Sequence, residues 1–331
     1  MPTNFAKTAL LLGLLTLIFV GMGSVIGGRT GLIFAFGMAM VMNVLALWRS
    51  DKLVVALHKA REVGPGDAPG YYGIVQDMAA RAGLPMPKVY VMDNPQPNAF
   101  AAGRNPANAL VCASTGLLDA LSPEEVAGVM AHELSHIKNH DTLTMTVAAT
   151  IGGAISMLAQ WLQFSFLFGG QRRNGGSWLT TLAVMIAAPF AAMLVQMAIS
   201  RSREYQADRL GGMICGNPLW LASALARIQA LVRGVPNETA ERVPAMAHLY
   251  IINPLTGRGF DNLFTTHPST DNRIAELERL AQEMAAAGTL VAGPLPTRNV
   301  TWQTGQGQAA APFPGDRPTD GPWSRSRGPW G

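Results

Sequence analysis

Four stretches of this chain contain no charged side chain: Thr8–Gly28, Thr30–Trp48, Thr142–Gln171 and Asn174–Ser200. At about 1.5 Å per helical residue, each is long enough to cross a hydrocarbon layer of about 30 Å. A segment in that layer has to satisfy its backbone polar groups internally, which dictates helices. The composition agrees, with 14% of residues charged and 49% hydrophobic, too apolar for an ordinary soluble domain. Lys7 before the first stretch is reminiscent of a signal peptide. That reading fails because the apolar run is too long, no A-x-A cleavage site follows, and a second span comes directly after it. Gly23 and Gly27 form a G-x-x-x-G pattern, a weak signal for close helix packing.

The chain therefore reads as a transmembrane hairpin over 5–48, a polar segment over 49–141, a second hairpin over 142–200, a polar segment over 201–290 and a disordered tail over 291–331 rich in Pro, Gly, Gln and Thr. An even number of crossings separates the two polar segments, so residues near 132 and near 204 share one side of the membrane. Lys7, Arg49, Lys52, Lys59, Arg61, Lys138, Arg201, Arg203 and Arg209 sit on that side near span ends, against Arg29, Arg172 and Arg173 on the other. By the positive-inside tendency the shared side is cytoplasmic. The net charge of +4 is small and forms no stripe interleaved with aromatics, so nucleic acid is not an expected partner. Cys112 and Cys215 stand far apart, outside any C-x-x-C arrangement, and read as buried apolar residues.

The expected fold is mainly α with a small antiparallel β-sheet. Tyr71–Ala82 reads as a helix stopped by Gly83, and "KVYVMD", "NAFAAG" and "NALVCAST" as short strands punctuated by Pro95, Pro97 and Pro106. In "LSPEEVAGVMAHELSHIKNHD", Ser122 is the N-cap, Pro123 suits the first turn and Glu125 completes a capping box. Further helices are expected at Pro218 to about Gly234 and at about Asp271–Ala287.

That capped helix carries H-E-x-x-H at residues 132–136. His132 and His136 are four apart and share a face, so both imidazoles reach one ion, whereas Glu133 is turned by about 100° toward a water on that ion. Zinc lowers the pKa of such a water from about 15.7 to about 7, and a carboxylate then takes its proton. A catalytic zinc needs a third protein ligand. His140 is excluded, because eight residues along a helix separate it from His132 by about 12 Å. The metzincin pattern is excluded too, since Asn139 and Thr142 occupy its Gly and His places. The ligand has to come from another element, and "SRSREYQADRLGG" offers Glu204 and Asp208 on one helical face. One of these carboxylates would bind metal while the other holds a ligand imidazole by its second nitrogen; an ordinary solvated cluster with Arg201 or Arg209 is the alternative.

"HELSHIKNHD", "SRSREYQAD" and "FTTHPSTDNRIAELE" together resemble the HtpX-type membrane zinc metalloproteases, relatives of the CAAX-prenyl endoproteases, over about residues 5 to 285. The resemblance implies a gluzincin-like core fused to four transmembrane helices, one Zn²⁺ held by His132, His136 and Glu204, and Glu133 as general base and acid. It implies Asp208 as the residue that orients a ligand histidine, and His267 with Arg273 as groups on the scissile carbonyl or its oxyanion. It also implies that Asn98–Gly103, with Ala99, Phe100 and Ala101, is an edge strand pairing with substrate backbone. Unfolded or misfolded membrane proteins are the implied substrates, cut at the cytoplasmic face of a bacterial inner membrane. A scaffold with a purely structural zinc would need no Glu133 beside its ligands. Prenyl-protein processing is disfavoured, because those relatives have a larger multi-span chamber.

Overall fold

The computed structural model describes residues 2–148, 201–232, 237, 240, 249–252, 268–291 and 293. Most of the second hairpin, His267 and nearly all of the 291–331 tail lie outside the described residues. Helix α1, Pro2–Leu57, is two helices joined at a sharp reversal, where Gly27 has φ −130° and Gly28 has φ 57°, ψ −139°. The Gly28 conformation is one that a side chain rarely permits. The two halves fold back on each other: the Asn43 amide donates to the Thr16 hydroxyl at 2.9 Å, and Gly23 lies so close to Gly31 and Ala35 that a Cβ there would overlap them. Small residues at the crossing let the backbones approach. Among the described residues Gly27–Leu57 is long and apolar enough to span a bilayer, and Ile33, Phe34 and Trp48 stand out from the rest of the protein.

Both ends of this hairpin come back to the same region. Thr8 and Thr144 share a hydroxyl–hydroxyl contact of 2.9 Å. At the other end His58, just past the helix, bonds Val54 C=O through Nδ1 at 2.8 Å and the Tyr250 hydroxyl through Nε2 at 2.7 Å. Val54 enters a buried cluster with Met92, Phe100, Ala102, Leu110, Cys112, Met145 and Tyr250, so the base of α1 packs directly on the sheet.

The sheet has strands β1 (Arg61–Glu62), β2 (Lys88–Met92), β3 (Ala99–Gly103) and β4 (Ala109–Ser114), in the order β1-β2-β4-β3. It is mixed, not antiparallel as expected: β2 and β4 run parallel in register Lys88↔Leu110 to Met92↔Ser114, whereas β3 pairs β4 antiparallel from Ala99↔Ala113 to Gly103↔Ala109. The physical reason is the link between Asp93 and Asn98. It carries the chain past the place of β4 to the sheet edge, and β4 then returns between β2 and β3. Asn94 holds this link, accepting from Gln96 N–H on its side chain at 2.9 Å and from Gly116 N–H on its carbonyl at 3.0 Å. Prolines, lacking N–H groups, suit such a crossing.

Helix α2 (Pro69–Ala82) ends on Gly83 at φ 68°, a left-handed C-cap. The short helix α3 (Thr115–Ala120) is capped by Ser114. Helix α4 (Pro123–Lys138) starts with the expected capping box: the Ser122 hydroxyl accepts from Glu125 N–H at 3.3 Å and the Glu125 carboxylate accepts from Ser122 N–H at 2.8 Å. From Glu125 to Ile137 every residue of α4 is buried, because α2, β3, helix α5 (Arg201–Cys215) and helix α6 (Pro218–Val232) all pack on it. Helix α7 (Thr270–Ala286) lies on α5 and α6 through Leu277, Leu280, Ala281 and Met284. Gly211 sets how closely α5 meets α4, since a Cβ there would stand 2.9 Å from His132 Cα and N.

Candidate metal centre

Helix α4 delivers His132 and His136 with their Nε2 atoms 3.3 Å apart. Helix α5, reached only after the apolar stretch, brings Glu204 to the same point, with Oε1 at 3.7 Å from His136 Nε2 and Oε2 at 3.9 Å from His132 Nε2. All three residues are buried. Ligands on a tetrahedral ion with bonds of about 2.1 Å stand about 3.4 Å apart, so the triangle has the size of a three-ligand site, its carboxylate corner a few tenths of an ångström wide. Imidazole and carboxylate are the donors that such an ion takes.

The second nitrogen of each imidazole meets a carboxylate. His132 Nδ1 lies 2.9 Å from Asp208 Oδ1, within hydrogen-bonding reach although the ring N–H does not point straight at the oxygen. His136 Nδ1 lies 3.4 Å from Asp141 Oδ2. This arrangement turns both Nε2 atoms to the centre and, in the neutral rings that a metal takes as ligands, keeps the proton on Nδ1. Asp208 is gripped in turn by Arg273, whose Nε and Nη2 donate to its two oxygens at 2.8 and 2.7 Å, while Nη1 donates to Ile251 C=O at 2.7 Å. Burial alone would raise the Asp208 carboxyl, but Arg273 and then His132 hold it below its ordinary value.

Glu133 is buried beside the triangle without belonging to it. Burial is the main cause that pushes its carboxyl up to about 7; His136 opposes this, Glu204 adds to it, and Arg273 and a backbone hydrogen bond from Ala101 oppose it. A group poised there accepts and returns a proton near neutrality. Burial would lower His136, yet Asp141, Glu204 and Glu133 together raise it to about 9. Burial lowers His132 in spite of Asp208.

The structure thus gathers His132, Glu133, His136, Glu204, Asp208 and Arg273 into one buried cluster. Among the described residues the guanidinium of Arg273 bonds to Asp208, which backs His132, and to Ile251 C=O. Glu204 is not part of a solvated cluster; Arg209 pairs with Glu283 at 2.8 Å instead. Strand β3 sits at the sheet edge, with β4 on one flank. On its other flank Ala99 C=O accepts from Ile251 N–H at 3.2 Å and Ala101 N–H serves Glu133. The Asn98 side chain accepts from Ile251 N–H at 3.2 Å and donates to Ile252 C=O at 3.3 Å. The Phe100 ring lies 4.8 Å from the His58 ring, tilted to it by 42°. Two participants escaped the sequence reading: Asp141, whose only signal was a carboxylate five residues past the second histidine, and Ile251, which acts through its backbone and leaves no signal.

Comparison with known proteins accords with this geometry. The sequence model of Peptidase family M48 matches residues 71–281, which takes in the whole cluster. The chain belongs to peptidase family M48. A solved structure, titled "Crystal Structure of S. mikatae Ste24p", is similar at 16% identity and TM-score 0.44, over 83% of this chain and 66% of that one. The M48 chain described here thus spans just under two thirds of that protein's length.

Proposed function

We propose that this M48 chain is a metallopeptidase, an integral membrane zinc endopeptidase that cuts unfolded or misfolded membrane proteins at the cytoplasmic face. The observation that carries the reading is the buried triangle of His132, His136 and Glu204 with the Glu133 carboxyl beside it but outside the ligand set. A purely structural site would fill its fourth position with protein and would have no use for a buried base.

Zinc, when bound, supplies a Lewis acid that polarises the scissile carbonyl and acidifies water. His132, His136 and Glu204 would hold it, and Asp208 keeps the His132 ring turned toward it. Glu133 takes a proton from the attacking water and returns it to the leaving amine, a double role that its raised carboxyl value permits. Substrate backbone adds to the flank of β3 away from β4, taking the place of the present partners of that flank, Glu133 on Ala101 N–H and the Thr146 hydroxyl on Gly103 N–H at 3.3 Å, and main-chain hydrogen bonds there give affinity with little sequence preference. That suits a protease for unfolded chains. Asn98, Ala99 and Phe100 shape the adjoining part of the edge, with Ile251 on Ala99. His267 supports the developing oxyanion. Arg273 acts on the same chemistry through Asp208.

Support for the membrane setting comes from the apolar Gly27–Leu57 helix and, for the cytoplasmic side, from the basic residues near the span ends. The test is Glu133→Gln in the purified full-length protein with an unfolded membrane-protein substrate. It retains metal and loses cleavage by at least about 10²-fold. Undiminished cleavage in the metal-loaded variant overturns the assignment.

A further inference from the structure

Helix α4 ends in a turn that reaches the metal centre. His140 N–H bonds to Ile137 C=O at 3.1 Å and Asp141 N–H bonds to His136 C=O at 2.9 Å. This pair of reversed bonds is a Schellman cap with its left-handed position at His140. That residue does have φ 58°, a conformation that costs a non-glycine side chain roughly 1–2 kcal/mol. The turn doubles the chain back so that the residue capping the His136 carbonyl also sends its carboxylate to the His136 ring, 3.4 Å from Nδ1. Asp141 and Arg203 are both buried, and Arg203 Nη1 lies 3.7 Å from Asp141 Oδ1. Among the described residues neither terminal nitrogen of Arg203 has a hydrogen-bond partner, and a buried guanidinium needs a compensating anion.

The two ligand imidazoles are therefore backed in the same sense. His132 rests on Asp208 and Arg273, and His136 on Asp141 and Arg203. The first carboxylate comes from a helix face, the second from a helix terminus. Asp141 immediately precedes the 142–200 stretch and Arg203 follows it, so the pair also ties the two feet of that stretch together at a metal ligand.

We propose that Asp141 is the positioning residue for His136, delivered by the left-handed turn at His140 and balanced by Arg203, so that the C-terminus of α4 aims the second ligand. This rests on the metallopeptidase reading and adds a residue to it. The test uses the purified full-length protein, with zinc affinity measured by competition against a chromophoric chelator and ligand geometry by the visible spectrum of the cobalt-substituted protein. Asp141→Asn weakens zinc binding about 10–100-fold and shifts the cobalt bands, and Asp141→Glu recovers part of the loss. His140→Gly, which takes the left-handed turn freely, binds zinc as the wild type does. His140→Val, which resists that turn, behaves like Asp141→Asn. Wild-type affinity and spectrum in Asp141→Asn, or wild-type affinity in His140→Val, overturns the proposal while leaving the metallopeptidase reading intact. A wild-type protein that takes up no zinc overturns both.

Discussion

Substituting Gly211 sets two helix effects of opposite sign against each other. Replacing a glycine by alanine inside a helix ordinarily gains up to about 1 kcal/mol. At Gly211 the new Cβ would stand 2.9 Å from both Cα and N of His132 and 3.2 Å from the Ala131 carbonyl carbon. These are backbone atoms of a buried helix and cannot swing aside, so α5 has to move off α4 by about 0.5 Å, and overpacking of this kind costs about 1–3 kcal/mol. The displacement falls one turn from Asp208 and two turns from Glu204. It takes the Glu204–His132 edge, already 3.9 Å, beyond about 4 Å, against about 3.4 Å for a tetrahedral ion. Gly73 in α2 is the control, since a Cβ there meets nothing within 4 Å. Measured by thermal melts of the metal-stripped protein and by chelator competition, Gly73→Ala gains up to about 1 kcal/mol and keeps its zinc affinity. Gly211→Ala loses about 1 kcal/mol net and binds zinc at least about tenfold more weakly. Should Gly211→Ala stabilise like the control and bind zinc unchanged, the close approach of α5 does not set the ligand distance.

Other expectations can be checked alongside. Because the Glu133 carboxyl is held up at about 7 against an ordinary 4.5, ionising it opposes folding: the cost is absent below pH 4.5, grows between 4.5 and 7, and is complete above 7. In metal-stripped protein Glu133→Gln is therefore more stable than wild type at pH 8, by on the order of 3 kcal/mol, and gains nothing at pH 4; an equal gain at both values contradicts the burial argument. Arg273→Ala leaves the Asp208 carboxylate buried without its partner and costs about 3–5 kcal/mol, read as a lower melting midpoint, whereas a loss below about 1 kcal/mol would mean that Asp208 finds another cation. Ser122→Ala removes the hydroxyl of the capping box and costs about 1 kcal/mol. The kcat of that variant stays at the wild-type value, because the cap lies more than two turns from His132.

The sequence was legible where one element explains itself. Helix α4 announces its start through Ser122, Pro123 and Glu125, and the spacing of His132 and His136 places both on one face whatever surrounds them. What depends on contacts across the chain was not legible. The turns around Pro95 and Pro106 mark where strands end but not their order, so the parallel pairing of β2 with β4 could not be read. Strand β1, two residues long, has no period at all. Arg273 resembles any arginine in the first turn of a helix, and only its bidentate pair with Asp208, 65 residues earlier, explains its burial. Distance along the helix excludes His140 as a ligand, but spacing does not say what the position is for. The backbone shows the point of that position, a left-handed residue that returns Asp141 to His136.

The central claim is that two segments separated by the 142–200 stretch close on one ion. Metal analysis of purified wild type and Glu204→Ala, each equilibrated with zinc and passed through a desalting column, tests it most directly. The account predicts one zinc per chain in the wild type and almost none in the variant, whose two histidines alone hold metal too weakly to survive the column. Full occupancy in Glu204→Ala would contradict it.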